Sequence, residues 1–174
     1  MRAFEEACAI ERKGVRAVSR FLKRAAYDGR FVWLLKGRMA RHLQATVGDA
    51  IVNTDERTFW TVEVKTEQRY TGNLFIETWS NRDFKRGWLF SLRADLLLYY
   101  FLDRDELYIL PLPRLQAWAS DGDIESARLM QFRLVAQKAR KQLNETCGHI
   151  VPLSVLRREV GYRLVYPSQI PLNL

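Results

Sequence analysis

Apolar positions recur with a helical period over the first 26 residues. At about 100° per residue, Phe4, Ala7, Val15, Val18, Leu22 and Ala25 fall on one stripe, and no proline interrupts residues 2–26. The period then changes to two. Gly48-Asp49-Ala50-Ile51-Val52 and Phe59-Trp60-Thr61-Val62-Glu63-Val64-Lys65 read as two strands joined by a polar turn, Asn53 to Arg57. Strand alternation puts Thr61, Glu63 and Lys65 on one face and Trp60, Val62 and Val64 on the other. Thr71 to Trp79 reads as a third strand, opened by the Gly72-Asn73 turn. Ala94 to Leu102 is almost entirely apolar or aromatic, the pattern of a buried central strand. Asp103-Arg104-Asp105 turns into a strand from Glu106 to Leu110, and Pro111 and Pro113 end it and open a short helix through Trp118. After a turn at Ser120-Asp121-Gly122-Asp123, the segment from Ile124 to Asn144 is expected to form a second long helix. Gly148 to Val151 and Tyr162 to Val165 are expected as terminal strands. This order of elements predicts a single domain over 1–174 of the α/β, mixed α+β, class.

Charge sharpens that picture because it is local. Residues 1–48 hold eleven Lys or Arg against four Asp or Glu, nearly the whole net charge of +8. Arg2, Arg12, Lys13, Arg16, Arg20, Lys23 and Arg24 lie opposite the apolar stripe, and Arg30, Lys36, Arg38 and Arg41 follow. Such a face is the footprint of a nucleic-acid binder, although a solvated helix face or a membrane-surface helix has the same pattern. The stripe is needed to cover a sheet, which weakens the membrane reading. Arg82, Lys85 and Arg86 stand between Trp79 and Trp88, a mix that suits phosphate contact and base stacking. Trp side chains that simply close the core fit equally.

The hydrophobic content of 48% supports a packed core and excludes a disordered chain. No apolar run is long enough to span a bilayer, and charges in the first dozen residues are unlike a secretory signal. The cysteines, Cys8 and Cys147, suggest a reducing, cytoplasmic setting. Cys147-Gly148-His149 lacks the paired spacings of a zinc site.

The chemistry concentrates in the hairpin. Asp49 opens its first strand and Glu63-Val64-Lys65 closes its second, fourteen residues on. Mg²⁺ or Mn²⁺ takes oxygen ligands and keeps several waters, so two carboxylates suffice to hold it. An adjacent ammonium can stabilise charge growing on a phosphoryl group. Glu11 falls within the apolar stripe of the first helix, where a carboxylate needs a partner, either a cation site or an arginine. An exposed hairpin with a surface Glu–Lys pair accounts for the same residues without chemistry.

These residues resemble the PD-(D/E)XK nuclease superfamily. Asp49 matches its first acidic position, with Gly48 where the name has proline, and Glu63-Val64-Lys65 matches its (D/E)-x-K; the likeness covers about residues 1–110. The layout looks most like small phage-type nucleases and Holliday-junction resolvases. The resemblance implies a restriction-endonuclease-like core, a central mixed sheet flanked by helices, and a Mg²⁺-dependent nuclease acting on DNA. It implies metal ligation by Asp49 and Glu63, a catalytic role for Lys65, and completion of the site by Glu11. Gln44 and Glu77 are secondary candidates, and Arg12, Lys13, Arg16, Arg20, Arg82, Lys85 and Arg86 are candidates for nucleic-acid contact. A homodimer would serve junction cleavage, which needs two sites, although no hydrophobic seam marks one. The competing expectations are a non-catalytic nucleic-acid-binding domain on the same fold and an interaction protein whose basic patch meets an acidic partner.

Overall fold

The structure, a computed structural model, describes residues 2–26, 31–33, 43–44, 47–81, 85–138 and 145–169. Its centre is a six-stranded sheet built from β1 (Phe31–Trp33), β2 (Ala50–Asn53), β3 (Phe59–Glu67), β6 (Leu96–Phe101), β7 (Glu106–Pro111) and β12 (Arg163–Val165), side by side in that order. Every pairing is antiparallel except β3 with β6, which makes the sheet mixed. Between β3 and β6 the chain leaves for a second sheet. There β4 (Asn73–Asn81) lies between β5 (Lys85–Arg86) and β11 (Glu145–Pro152), and β10 (Leu134–Lys138) forms the far edge. A small hairpin joins β8 (Ser120–Asp121) to β9 (Ile124–Glu125).

The apolar run in β6 is explained by cover on both faces. Its Leu98 and Tyr100 pack with Ala50, Val52 and Val62 beneath Ala17, Val18 and Leu22 of helix α1 (Arg2–Ala25). Leu97, Tyr99 and Phe101 point the other way, into a core shared with Leu74, Ile76 and Val151 of the second sheet. Short helices α2 (Trp88–Ser91), α3 (Leu112–Ala119) and α4 (Leu153–Glu159) complete that core through Leu89, Leu115 and Leu156. The mixed sheet was therefore legible, but helices do not flank it alike. One face carries α1, and the other carries the second sheet.

Three expectations need correction. The segment from Ile124 is not a long helix: it forms β9, a one-turn 3₁₀ helix at Leu129–Gln131 and then β10, while residues 139–144 lie outside the described part. Ser126 caps the start of that short turn: its hydroxyl donates to Trp118 O at 2.9 Å and accepts the Leu129 amide at 3.1 Å. Leu134 to Lys138 then finds β11 as a partner, and the ladder overrides helix propensity. Second, Ala25 is exposed, whereas Gly14, Ala17 and Ala26 are buried. Third, Trp60 is not part of the apolar backing: it is 38% exposed, and its indole donates to Thr54 Oγ1 at 3.2 Å. The third strand forms as β4, and it belongs to the second sheet. The side chains of Phe4, Glu5, Glu6 and Ala7 lie outside the described part.

Candidate functional site

The β2–β3 pairing is short. It runs from Asn53↔Phe59 to Ala50↔Val62, and its turn is held by Asp55 Oδ1, which accepts the Arg57 and Thr58 amides at 2.8 Å each. One step further the register sets Asp49 opposite Glu63. The Asp49 amide still donates to Val62 O at 2.7 Å, and its Oδ2 accepts the Val64 amide at 2.9 Å. The side chain thus ends the ladder in place of another strand. Among the described residues, β3 from there to Glu67 is paired only with β6, and its other edge is open.

A cavity of about 490 Å³ occupies that open edge. Val64, Lys65, Thr66, Glu67 and Gln68 line it consecutively, with Asp49 at one end and Ile10, Glu11 and Val15 of α1 above. Consecutive residues of one strand can share a cavity only because it lies beside the strand rather than over a face. Two glycines make this geometry. Gly14 lets α1 rest on β3, since a Cβ there would sit 2.0 Å from Thr66 Oγ1. Gly48 has φ +89° and comes so near β3 that a Cβ would lie 2.6 Å from Val62 O. Glu11 is one turn before Gly14. It keeps its place on the stripe but is exposed, because the stripe faces the cavity there and not the core.

Glu63 is 6% exposed. Its Oε1 lies 2.6 Å from Lys65 Nζ, whose side chain is 36% exposed at the cavity. Burial raises the Glu63 carboxyl above its ordinary range; Lys65 opposes this, while the negative charges of Asp49 and Glu77 add to it. Burial likewise raises Asp49, against the Val64 amide and Lys65 and with help from Glu11. For Lys65 burial pulls downward, but Glu63, Asp49 and Glu77 together hold the ammonium above its usual value. The structure therefore joins Asp49, Glu63 and Lys65 with Glu11 at one place, and Glu77 of β4 acts on it through charge. Ser80 Oγ donates to Glu77 Oε1.

Other candidates are placed differently. Gln44 is not among the residues lining the cavity, and its carbonyl accepts the Gly48 amide at 3.1 Å. Arg12, Lys13, Arg16 and Arg20 are all exposed, as expected for a basic ridge on α1. Arg86 is not available as a free cation. Its guanidinium lies between the Trp79 and Phe90 rings, 4.3 and 4.5 Å from their centroids, and donates to Asp123 O. Trp88 is buried in the core, while Lys85 is exposed. Arg30, Lys36, Arg38, Arg41 and Arg82 lie outside the described residues. Glu67 and Gln68 line the cavity without having been singled out; their signal was their position just after Lys65 on the same strand.

Among the described residues, no group of three or more His, Cys, Asp or Glu is gathered tightly enough to enclose a metal ion. The donor set instead suits a hydrated hard cation, which needs only one or two carboxylates. Asp49 and Glu63 are desolvated and repel each other, a strain that a bound cation would relieve. Comparison with protein-family models, curated proteins and solved structures finds no match.

The raised carboxyls set a sign for stability. A carboxyl raised by folding stabilises the fold in acid and loses that contribution as pH rises through its folded pKa. Asp49→Asn keeps an acceptor for the Val64 amide and removes the buried negative charge. In chelator at neutral pH, Asp49→Asn is expected to melt above wild type, with the gap closing in acid where Asp49 is protonated. Thermal melts across pH check this; an Asp49→Asn protein that melts lower at neutral pH would contradict it.

Proposed function

We propose that the chain is a divalent-metal-dependent nuclease that hydrolyses phosphodiester bonds in DNA on a restriction-endonuclease-like core of the PD-(D/E)XK kind. The observation that carries this reading is the pairing of Asp49 with Glu63 and Lys65 at the open edge of β3, beside a cavity overhung by Glu11. Asp49 and Glu63 would hold Mg²⁺ or Mn²⁺, which supplies Lewis-acid polarisation of the phosphoryl group and a lower pKa for water.

The chain's own residues do the rest. Lys65 stays charged because Glu63 faces it at 2.6 Å and Asp49 and Glu77 add their fields. Its ammonium is held at the cavity before substrate arrives, where it stabilises negative charge developing on phosphorus. Glu11 supplies a carboxylate from the opposite wall to orient water. Val62 and Ala50, the chain neighbours of Glu63 and Asp49, are fully buried in the core beneath α1 and anchor the backbone that carries the two carboxylates. The exposed ridge Arg12, Lys13, Arg16 and Arg20 lies on the outer face of α1 and would carry the phosphate backbone toward the site.

The direct Glu63–Lys65 ion pair favours a second reading, a non-catalytic DNA-binding domain in which that pair is structural. A cleavage assay on linear, circular, single-stranded and branched DNA, titrated with Mg²⁺ and Mn²⁺, separates the two. Metal-dependent cleavage supports the nuclease; salt-sensitive binding without cleavage at any metal concentration supports the alternative.

The ridge has its own test. Arg20 acts through its charge on Asp105 and Tyr100, so Arg12 and Arg16 are the cleaner pair. Reversing both to Glu is expected to weaken DNA binding and to flatten the log–log salt slope by about 0.9 for each phosphate no longer neutralised. Binding equal to wild type across a salt series would make the ridge a solvated surface.

A further inference from the structure

A second cavity, of about 530 Å³, opens beside α3 and α4 and shares no residue with the open edge of β3. Its volume is that of a small-ligand site. Trp118, Phe132 and Val155 form its apolar wall. Trp118 is buried and makes the back, 6.0 Å from the half-buried Phe132 ring. Phe132 is fixed by its backbone: its amide donates to Leu129 O at 3.0 Å, and its carbonyl accepts His149 Nδ1–H at 2.8 Å. His149 is itself buried and held at Nε2 by Glu125 Oε2, 2.9 Å away. The aromatic wall is thus set before any ligand arrives.

The rim is positive. Glu159 is the acid on it, and both its oxygens are engaged. Oε2 accepts the Trp118 indole N–H and Oε1 accepts Arg158, each at 2.6 Å. Arg128 is exposed and has no ion pair among the described residues. Two guanidinium groups therefore stand against one carboxylate, on which Arg128 also acts through its charge, leaving one net positive charge above an apolar wall whose two rings are inclined by 44°, and Gln131 adds an amide. A flat ring suits the face of the Phe132 side chain and a phosphate suits the guanidinium groups, which bind it through paired N–H donors.

We propose that this cavity binds a nucleoside 5′-phosphate, with the base against Phe132 and the phosphate at Arg128 and Arg158. The group can come from a free nucleotide or from the 5′ end of a strand. The test is calorimetric titration of the full chain with adenosine 5′-monophosphate, adenosine, inorganic phosphate, and a dinucleotide with or without a 5′-phosphate. The monophosphate is expected to bind at least about tenfold more tightly than adenosine or phosphate alone, one tenfold step being 1.4 kcal/mol. Arg128→Gln is expected to weaken it about tenfold or more, the scale of one charge-assisted hydrogen bond. Phe132→Leu, which keeps the backbone bonds, is expected to weaken it by about 5- to 100-fold, the range of one base–aromatic stack. Tighter binding of the 5′-phosphorylated dinucleotide than of the monophosphate assigns the strand end, and the reverse assigns the free nucleotide. No heat with the monophosphate at millimolar concentration overturns the proposal. So does inorganic phosphate binding equally well, or Arg128→Gln binding as wild type does while keeping its melting temperature. Cleavage of DNA plays no part in the readout.

Discussion

Glu63→Gln is expected to reduce metal-dependent DNA cleavage by about 10³-fold or more, comparable with or beyond the effect of removing one preorganised transition-state donor, while the chain stays folded. The glutamine keeps the shape of the side chain and an oxygen for Lys65. What it removes is the negative charge at a 6%-exposed position opposite Asp49. With that charge go the proposed hold on a divalent cation and the field that keeps the Lys65 ammonium charged. Asp49→Asn is expected to give a loss of the same order, mainly through the first of these, since Glu63 and Glu77 still hold the Lys65 ammonium and the asparagine oxygen still accepts the Val64 amide. Initial rates under saturating Mg²⁺, with melting curves on the same preparations, check both. Unchanged turnover in both variants would remove the nuclease activity from this hairpin.

Gly48→Pro is expected to destabilise the fold by about 3 kcal/mol or more, the scale of proline in a backbone it cannot adopt. The substitution would introduce the proline that names the PD-(D/E)XK motif, and the local backbone forbids it. Gly48 has φ +89°, whereas proline is fixed near −65°. Its amide donates to Gln44 O at 3.1 Å, a bond that proline lacks. Its Cα faces Val62 O so closely that any Cβ meets the carbonyl at 2.6 Å. Gly48→Ala is expected to cost less, because it keeps the amide, but it suffers the same contact and the same φ. Denaturant unfolding measures both, and a Gly48→Pro protein as stable as wild type would contradict the backbone account. The glycine is thus the local means of carrying the chain into Asp49.

Much of the site was legible because it depends on short-range periodicity. Asp49, Glu63 and Lys65 belong to one hairpin, whose register follows from its alternation and from the Asp55 turn. Glu11 was legible through the stripe of α1, although its exposure was not, because exposure depends on where β2 ends. The apolar run of β6 announced a central strand, but nothing local shows that its partner in parallel is β3. Pairing across such a gap is a tertiary choice. The same limit explains the segment after Ile124. Leu129, Phe132, Leu134 and Val135 can be placed on a helix as readily as on a strand, and only the edge of β11 decides between them. Gly14 carried a readable signal, a glycine inside a long helix, whose reason is the close approach to Thr66. The engagement of Arg86 between Trp79 and Phe90 was hidden, since Phe90 comes from the next helix.

The central claim is that Asp49 and Glu63 together hold a divalent cation at the open edge of β3. Anomalous diffraction from crystals of the chain soaked in Mn²⁺ tests it most directly. The account predicts a manganese peak within ligand distance of carboxylate oxygens from both Asp49 and Glu63, absent from Glu63→Gln crystals. A wild-type map at saturating Mn²⁺ with no peak there, and with Glu63 still bound only to Lys65, would contradict it.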